Sequence, residues 1–158
     1  MNAKVVAIFT TAAAGSALAS IEAAALESGK GLVGDRYYRR NGTFSKKLAS
    51  AQDWEITLIE QEEIDRFTVE ENSRFTAADF RRNIVTSDIR LNDLVERRFC
   101  VGSAVLEGIR LCEPCAYLTR FLGPASITAL AHRAGLRARI VRSGVVRTGD
   151  SIEEFKSG

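Results

Sequence analysis

The sequence predicts a mainly β protein, in which short strands form a β-rich barrel and a few short helices decorate it. Short runs of apolar or alternating residues recur along the whole chain, and glycine-containing turn signals separate them. Segments with helical periodicity are few and brief. The runs do not alternate regularly with helices, as they would in a parallel sheet of strand–helix units. Short strands with irregular connections favour a barrel instead.

The composition is typical of one soluble globular domain. The 158 residues are 46% hydrophobic and 27% charged, which is enough to build a core, and we expect a single domain over residues 1–158. The formal net charge of +2 gives no reason to expect nucleic acid or a membrane as a partner. Three cysteines without a matched framework are typical of a reducing compartment. We therefore expect a cytoplasmic protein and leave its oligomeric state open.

Residues 4–9 are the first predicted strand. A secretory signal is the alternative interpretation, because small residues follow this apolar run as far as Ser20. Thr10 and Thr11 interrupt the apolar stretch, and alanine-rich segments are only weakly hydrophobic, which favours the strand. No run is long enough to span a bilayer.

The middle of the chain predicts a strand followed by a helix. Large apolar and polar residues alternate over 54–59, as in a strand. Residues 60–67 follow as a helix, because Ile64 and Phe67 lie on one helical face. The other elements predicted here are a long polar connection at 39–45, a capped helical turn at 76–79, a strand at 83–86, a turn anchored by Leu91 and Leu94, and a strand at 99–101.

The last third of the chain predicts further short strands around two short helices. A reversal at 102–103 leads into a strand over 104–109. Residues 136–140 alternate strictly, with apolar residues inward and arginines outward. The remaining predicted elements are a short helix at 117–121, another that Pro124 and Ser126 open and that Gly135 closes as a left-handed cap, and a last strand at 145–147.

Cys112 and Cys115 flank a Glu-Pro dipeptide and are the most informative feature of the chain. A thiol pair at this spacing can close into a disulfide, share a metal, or leave one sulfur as a carrier or ligand. A structural zinc site needs four ligands. The other candidates are Cys100, which we expect to be a small buried hydrophobe, and His132, which we expect in an apolar helix. This set disfavours zinc.

A thioredoxin-type dithiol is a second alternative, because strand, Cys-x-Pro-Cys and helix follow in the expected order. That fold also needs a proline from a later strand beside the thiols, and Pro124 follows too closely. The remaining interpretation makes Cys115 a reactive thiolate, since Pro114 fixes the local backbone and a nearby Arg110 would favour the charged form. That both cysteines are merely packed stays open.

The order of several short motifs resembles that of a MOSC domain, the module named after the C-terminal part of molybdenum cofactor sulfurase. The resemblance extends from about Val5 to Asp150, nearly the whole chain. The motifs are GLVGDR at 31–36, ITLI at 56–59 with Glu63 following, FRRNI at 80–84, LNDL at 91–94, FCVG at 99–102, LEG at 106–108, RLCEPC at 110–115, Gly144, and Gly149 with Asp150.

The resemblance implies a strongly bent β-barrel with a cysteine at the mouth of a cleft. By motif position this residue is Cys115, which would ligate molybdenum or carry sulfur as a persulfide. Arg81 and Asn83 would face the phosphate side of the molybdenum cofactor (molybdopterin), where a guanidinium can grip phosphate and an amide can bond the pterin. The other cofactor-binding residues that the resemblance implies are Arg36, Arg110 and Cys112.

Two functions follow from the resemblance. The first is a molybdenum-cofactor-linked protein that binds the cofactor or carries sulfur, with reduction of N-hydroxylated compounds as the nearest reaction. The second is a non-catalytic module that docks on a partner and delivers sulfur or cofactor. As a stand-alone domain it would depend on a sulfur donor, such as a pyridoxal-phosphate-dependent desulfurase, or on an electron-transfer protein. Because Glu113 would oppose a phosphate, a transient or absent cofactor remains an alternative to a stably bound one.

Overall fold

The computed structural model describes residues 2–38 and 54–155, and the predicted connection at 39–45 lies outside them. Over the described residues the protein is mainly β. The strands are β1 (Lys4–Thr10), β2 (Ala19–Ile21), β3 (Ala23–Glu27), β4 (Gly31–Leu32), β5 (Ile56–Glu60), β6 (Ile84–Ser87), β7 (Arg98–Val101), β8 (Ala104–Leu111), β9 (Leu136–Arg142), β10 (Gly144–Arg147) and β11 (Ile152–Glu154). The helices are α1 (Gln61–Glu70), α2 (Ala116–Leu122) and α3 (Ser126–Ala129), with 3-10 turns at Ala77–Phe80 and Leu91–Leu94.

The strands form two sheets. The larger has eight strands in the order β11-β7-β8-β9-β5-β6-β1-β2, and the smaller has three in the order β10-β3-β4. The start of β1 approaches β11, since the Val5 amide donates to the Asp150 carbonyl (2.8 Å) and the Ile152 amide to the Ala3 carbonyl (2.9 Å). Only an isolated bridge joins Lys4 to Ser151 in this part of the described chain. The two sheets are therefore not closed into a barrel there, and the predicted barrel is not confirmed.

Two buried apolar clusters meet at β5. The larger lies between the sheets and includes Ile56 and Leu58. The smaller lies beneath α1 and α2 and includes Ile59. Because both faces of the strand are covered, Thr57 is buried as well, and the alternation in the sequence does not mark an exposed face.

Helix α1 continues past the predicted 60–67 segment to Glu70. Ile64 and Phe67 are its buried residues, as the spacing predicts. Phe67 packs edge-on against Phe80, with ring centroids 5.6 Å apart. This contact anchors the 3-10 turn that leads to Arg81, and the capping box predicted there is present.

The other predicted strands are confirmed with small shifts of their ends. The described residues also form four strands that the sequence pattern does not predict: the alanine-rich β2 and β3, the short β4 and the C-terminal β11. Alanine has low strand propensity, so β3 depends on its antiparallel pairing with β10, in which Ala23 faces Arg147. No helix in the described ranges has the length and apolar character needed to cross a membrane.

The predicted left-handed helix cap at Gly135 is wrong, because α3 already ends at Ala129, with Leu130 as its C-cap, and His132 lies beyond the helix. Gly135 does have a positive φ of 110°. A Cβ at this position would lie 2.0 Å from the Leu58 carbonyl oxygen. Glycine is therefore required here by the close approach of two backbones as well as by the dihedral angle.

A buried carboxyl group joins the two sheets. The Glu55 side chain is 4% exposed, and its Oε1 accepts hydrogen bonds from the Gly29 amide (2.8 Å) and the Ile140 amide (3.3 Å). Burial raises the pKa of Glu55, and the two amide donors act in the opposite direction. The folded chain therefore holds a proton on Glu55 more tightly than the unfolded chain does.

This pKa shift predicts part of the pH dependence of stability. As the pH rises from the ordinary carboxyl pKa through the raised pKa of Glu55, the free energy of unfolding falls, because the folded state binds more protons than the unfolded state. We expect Glu55→Gln to remove this part of the decline, whereas the exposed control Glu153→Gln should keep it. Urea unfolding at a series of pH values measures the difference. Parallel pH profiles for wild type and Glu55→Gln would contradict the prediction.

Candidate functional site

A small cavity lies beside the two cysteines, between the end of β8 and the start of α2. Its volume is about 30 Å³, and both Cys112 and Cys115 line it. The elements that meet there come from distant parts of the chain. The described residues that share the wall with the thiols include Arg36, Tyr37, Arg81, Arg82, Tyr117 and Arg137.

The two thiols occupy different depths in the wall. Cys115 is half-buried and stands at the N-cap position of α2, with no side-chain capping bond. Cys112 is 1% exposed. Its amide donates to the Gly135 carbonyl (2.8 Å), and its carbonyl accepts from Arg82 Nη2 (3.2 Å). Because the Cys112 backbone is held on both sides, the position of the thiol pair is well defined.

The three cysteines of the chain all carry free thiols in the structure. Cys100, which the sequence predicts to be buried, is only half-buried on β7. It does not appear on the cavity wall. Cys112 and Cys115 are therefore the thiols that share the site.

Arg81 is the most unusual charged residue of the wall. It is 4% exposed and has a positive φ of 64°. Its Nη1 donates to the Ser16 carbonyl, and its guanidinium carbon lies 4.6 Å from the centroid of the Phe121 ring. Within the described part of the chain, its Nε and Nη2 atoms make no well-formed hydrogen bond, although the Tyr117 hydroxyl lies near enough to interact with the guanidinium. A buried donor of a charged group that lacks an acceptor is destabilising, so an anion in the cavity would complete this residue.

Burial also lowers the pKa of Arg81, and the positive charge of Arg36 lowers it further, while Tyr117 and Tyr37 act in the opposite direction. Two buried guanidinium groups thus lie close enough to repel each other. An anion placed near both of them would relieve that repulsion.

Arg36 is held in place by two hydrogen bonds. Its Nη1 lies 3.2 Å from Asp35 Oδ1, and its Nη2 donates to the Arg81 carbonyl (3.4 Å). Asp35 is itself buried and accepts from the Thr10 hydroxyl (3.0 Å). Because these bonds hold the guanidinium of Arg36, its position in the wall is fixed. Asp35 balances part of its positive charge.

Two residues predicted for cofactor binding are not brought to the cavity wall. Asn83 is buried, its Oδ1 accepts from the Thr57 amide (3.2 Å), and its Nδ2 donates to the Phe9 carbonyl (3.2 Å). These bonds tie β1, β5 and β6 together, which is a structural role. Arg110 is exposed on β8, where it is paired in register with Arg137 of β9. Pterin contacts for Asn83 and Arg110 stay predictions.

Sequence reasoning missed several residues of the wall. Arg82 donates from Nε to the Ala134 carbonyl (2.9 Å) and from Nη2 to the Cys112 carbonyl. It therefore connects the backbone at Cys112 to the segment before β9. Tyr37 is buried, which raises its pKa against the opposing charges of Arg36 and Arg137. The double arginine at 81–82 and the alternating arginines of β9 were the available signals. Neither indicates which side chains converge.

The carboxylate of Glu113 contacts His132. Its Oε1 accepts from the His132 amide (2.6 Å), and its Oε2 lies 2.5 Å from His132 Nδ1. The carboxylate that would oppose a phosphate is thus engaged by these donors, although it still borders the cavity. Four arginines against this one carboxylate make the described wall electropositive.

The wall suits a small anion and a soft thiolate ligand, but it does not enclose a whole molybdenum cofactor. Pockets that enclose cofactors usually measure about 300 to 1,000 Å³, ten or more times the volume found here. Within residues 2–38 and 54–155, no group of three His, Cys, Asp or Glu side chains is arranged to hold a metal ion. The fit therefore covers one anionic group, not the pterin.

Comparisons with solved structures show where this fold occurs. The chain superposes on the YuaD protein from Bacillus subtilis with a TM-score of 0.79 at 17% identity, covering 99% of this chain and 98% of the other. It superposes on YiiM from Geobacillus stearothermophilus with a TM-score of 0.73 at 16% identity, covering 99% and 76% of the two chains. For YiiM from Escherichia coli the TM-score is 0.72 at 17% identity, with coverage of 100% and 71%. At these identities the likeness concerns the fold alone.

Sequence comparison identifies the family. No curated protein is significantly similar to the chain in sequence. The family profile described as MOSC domain matches residues 45–153, well over half of the chain. MOSC domains are associated generally with functions related to the molybdenum cofactor. This agrees with the order of short motifs noted above, and the protein therefore belongs to the MOSC domain family.

Proposed function

We propose that this protein carries sulfur on Cys115, as a persulfide, within chemistry related to the molybdenum cofactor. The observation that supports this most directly is the cavity shared by Cys115 and Arg81. A persulfide is an anion with one atom more than a thiolate, and two buried nitrogen atoms of Arg81, Nε and Nη2, lack a well-formed hydrogen bond to an acceptor in the described part of the chain. The outer sulfur of the persulfide would supply that acceptor.

The loading step needs no external oxidant or reductant. The Cys115 thiolate attacks the outer sulfur of a persulfide on the donor, a new S–S bond forms to Cys115, and the S–S bond of the donor breaks. The donor leaves as a thiol, because it takes up the proton of its former persulfide, and Cys115 retains the persulfide anion. One S–S bond and one negative charge are present on each side of the reaction.

The arginines of the wall would favour the loaded form. Hydrogen bonds between guanidinium and an anionic acceptor are stronger than those between neutral groups, and they gain further strength in a site from which water is largely excluded. Arg36 is fixed by Asp35, so it would act mainly through its charge, whereas Arg81 would donate directly.

The cavity volume favours a sulfur atom over an enclosed cofactor. About 30 Å³ accommodates a group of water size. The proposed role is therefore delivery of sulfur that a partner protein supplies. Reduction of N-hydroxylated compounds stays a prediction from the family resemblance.

The proposal is tested by loading the full chain with glutathione persulfide and measuring cyanide-labile sulfur. Peptide mass spectrometry should locate the added sulfur on Cys115. We expect Arg81→Met to slow loading by about tenfold to a hundredfold, because the anion then loses a charged hydrogen-bond donor worth roughly 1.5 to 3 kcal/mol.

The matched control for this test is Arg147→Met, which removes an exposed arginine on β10 of the smaller sheet. It should load like the wild type. The absence of cyanide-labile sulfur on Cys115 in both the wild type and Cys112→Ser would overturn the proposal. Equal loading of the Arg81 and Arg147 variants would remove Arg81 from it. Metal and pterin analysis of protein from a molybdenum-competent host checks independently whether the cofactor is retained.

A further inference from the structure

We propose that Cys112 is a resolving thiol, which attacks sulfur-loaded Cys115 and releases the carried sulfur as sulfide. The inference rests on the proposed loading of Cys115 and adds a second reaction at the same site. It assigns to the deeper of the two thiols a chemical role that loading itself does not require.

The first support is proximity. Cys112 and Cys115 line one cavity of about 30 Å³, and such a small space keeps the groups on its wall close together. Only two residues separate the thiols, which is the spacing of redox-active dithiols. Both cysteines are free in the structure, so either can act as a nucleophile.

The second support is the way in which the Cys112 backbone is held. Its amide bonds to Gly135 and its carbonyl to Arg82, while Cys115 stands at the first turn of α2. A nucleophile fixed next to its target reacts faster than one that must find it by diffusion. These two contacts therefore favour attack by Cys112 over attack by a thiol from solution.

The third support is the chemical character of the surroundings. A buried cysteine that only fills space is usually packed among apolar side chains. Cys112 instead borders a wall that contains Arg36, Arg81 and Arg137. These cations can stabilise the hydrosulfide anion that leaves when Cys112 attacks.

The release step balances in atoms and electrons. Cys112 attacks the inner sulfur, which is Sγ of Cys115, and the bond between that atom and the outer sulfur breaks. The outer sulfur leaves as hydrosulfide and takes the proton of Cys112. The outer sulfur is reduced, and the two cysteines are oxidised to a Cys112–Cys115 disulfide. A small dithiol reductant then restores both thiols.

The test follows sulfide release after loading the full chain with glutathione persulfide and removing excess reagent under anaerobic conditions. The wild type should release sulfide without added reductant and finish with a Cys112–Cys115 disulfide, visible by peptide mass spectrometry. In Cys112→Ser the persulfide should persist at least about tenfold longer, because the intramolecular nucleophile is absent.

Cys100→Ser is the matched control, since it removes the cysteine that the cavity wall does not include, and it should release sulfide like the wild type. Cys112→Ala provides a second substitution if serine proves unstable at the buried position, and circular dichroism checks that each variant is folded. Equal release rates with and without Cys112, or a wild-type chain without the disulfide after release, would overturn this inference alone. If Cys115 takes up no sulfur even in Cys112→Ser, where the release step is absent, the proposed function fails as well, so the two failures are distinguishable.

Discussion

Replacing Cys115 by serine is expected to abolish sulfur loading and at the same time to stabilise the fold slightly. A hydroxyl group cannot take over the sulfur of a persulfide, so no cyanide-labile sulfur should remain at this position. Cys115 also occupies the N-cap position of α2 and makes no capping bond there. Serine is one of the preferred N-cap residues, and a capping hydroxyl contributes about 0.5 to 2 kcal/mol.

Because Cys115→Ser is expected to lose sulfur loading but not stability, loss of the thiol can be distinguished from loss of the fold. A variant that lost loading because it was damaged would be less stable than the wild type, whereas the expected variant is at least as stable. Thermal unfolding and cyanide-labile sulfur are the two measurements. Cys100→Ser should load normally because Cys100 lies on β7, away from the described wall. Loading that survives in Cys115→Ser would show that another residue carries the sulfur.

The largest loss of stability is expected for Gly135→Ala. An alanine Cβ at this position would lie 2.0 Å from the Leu58 carbonyl oxygen, an atom of the backbone that cannot rotate away. The residue also has φ at 110°, which disfavours any side chain. Strain of the backbone and overpacking together should lower the free energy of unfolding by about 3 to 5 kcal/mol.

Gly149→Ala separates the contribution of backbone strain to the loss of stability from that of overpacking. Gly149 has φ at 94°, but a Cβ there would meet nothing within 4 Å, so only the dihedral cost of about 1 to 2 kcal/mol is expected. Urea unfolding of both variants gives the comparison, and equal losses would show that the contact with Leu58 is unimportant. Because the Gly135 carbonyl accepts the Cys112 amide, Gly135→Ala should also disturb the thiol pair.

The positions of many strands follow from local patterns in the sequence. Alternation over 136–140 predicts β9, and the paired runs on either side of Gly102 predict β7 and β8. These patterns report which residues of one strand share a face. They do not report what covers that face, which is why β5 alternates in sequence yet is buried on both sides.

The alanine-rich segment at 19–27 shows the limit of local reasoning most clearly. Nothing in its composition favours a strand, and β3 forms because β10 returns to pair with it from the other end of the chain. The order of the sheets depends on such long-range contacts. A pattern within one segment carries no information about them.

For the candidate site, too, local motifs indicate some features and not others. Its motifs were sufficient to indicate the MOSC family and to predict Cys115 and Arg81 as site residues, and both of them line the cavity. They did not separate Arg137, which lines the cavity, from its cross-strand neighbour Arg110, which is exposed. They also did not show that the Asn83 amide is already bonded to Thr57 and Phe9.

The sequence by itself thus determined that the protein is mainly β and belongs to the MOSC family, and it predicted Cys115 as the reactive thiol, because each inference depends on residue types at short spacing. Only the tertiary structure decided which arginines surround that thiol, how deep Cys112 lies and how small the shared cavity is. Arg36, Arg81, Cys112 and Arg137 are far apart in the chain, and their meeting depends on how β5, β8 and β9 pair and on how α2 packs. Distances between such residues are set by the packing of whole elements, which no local pattern encodes.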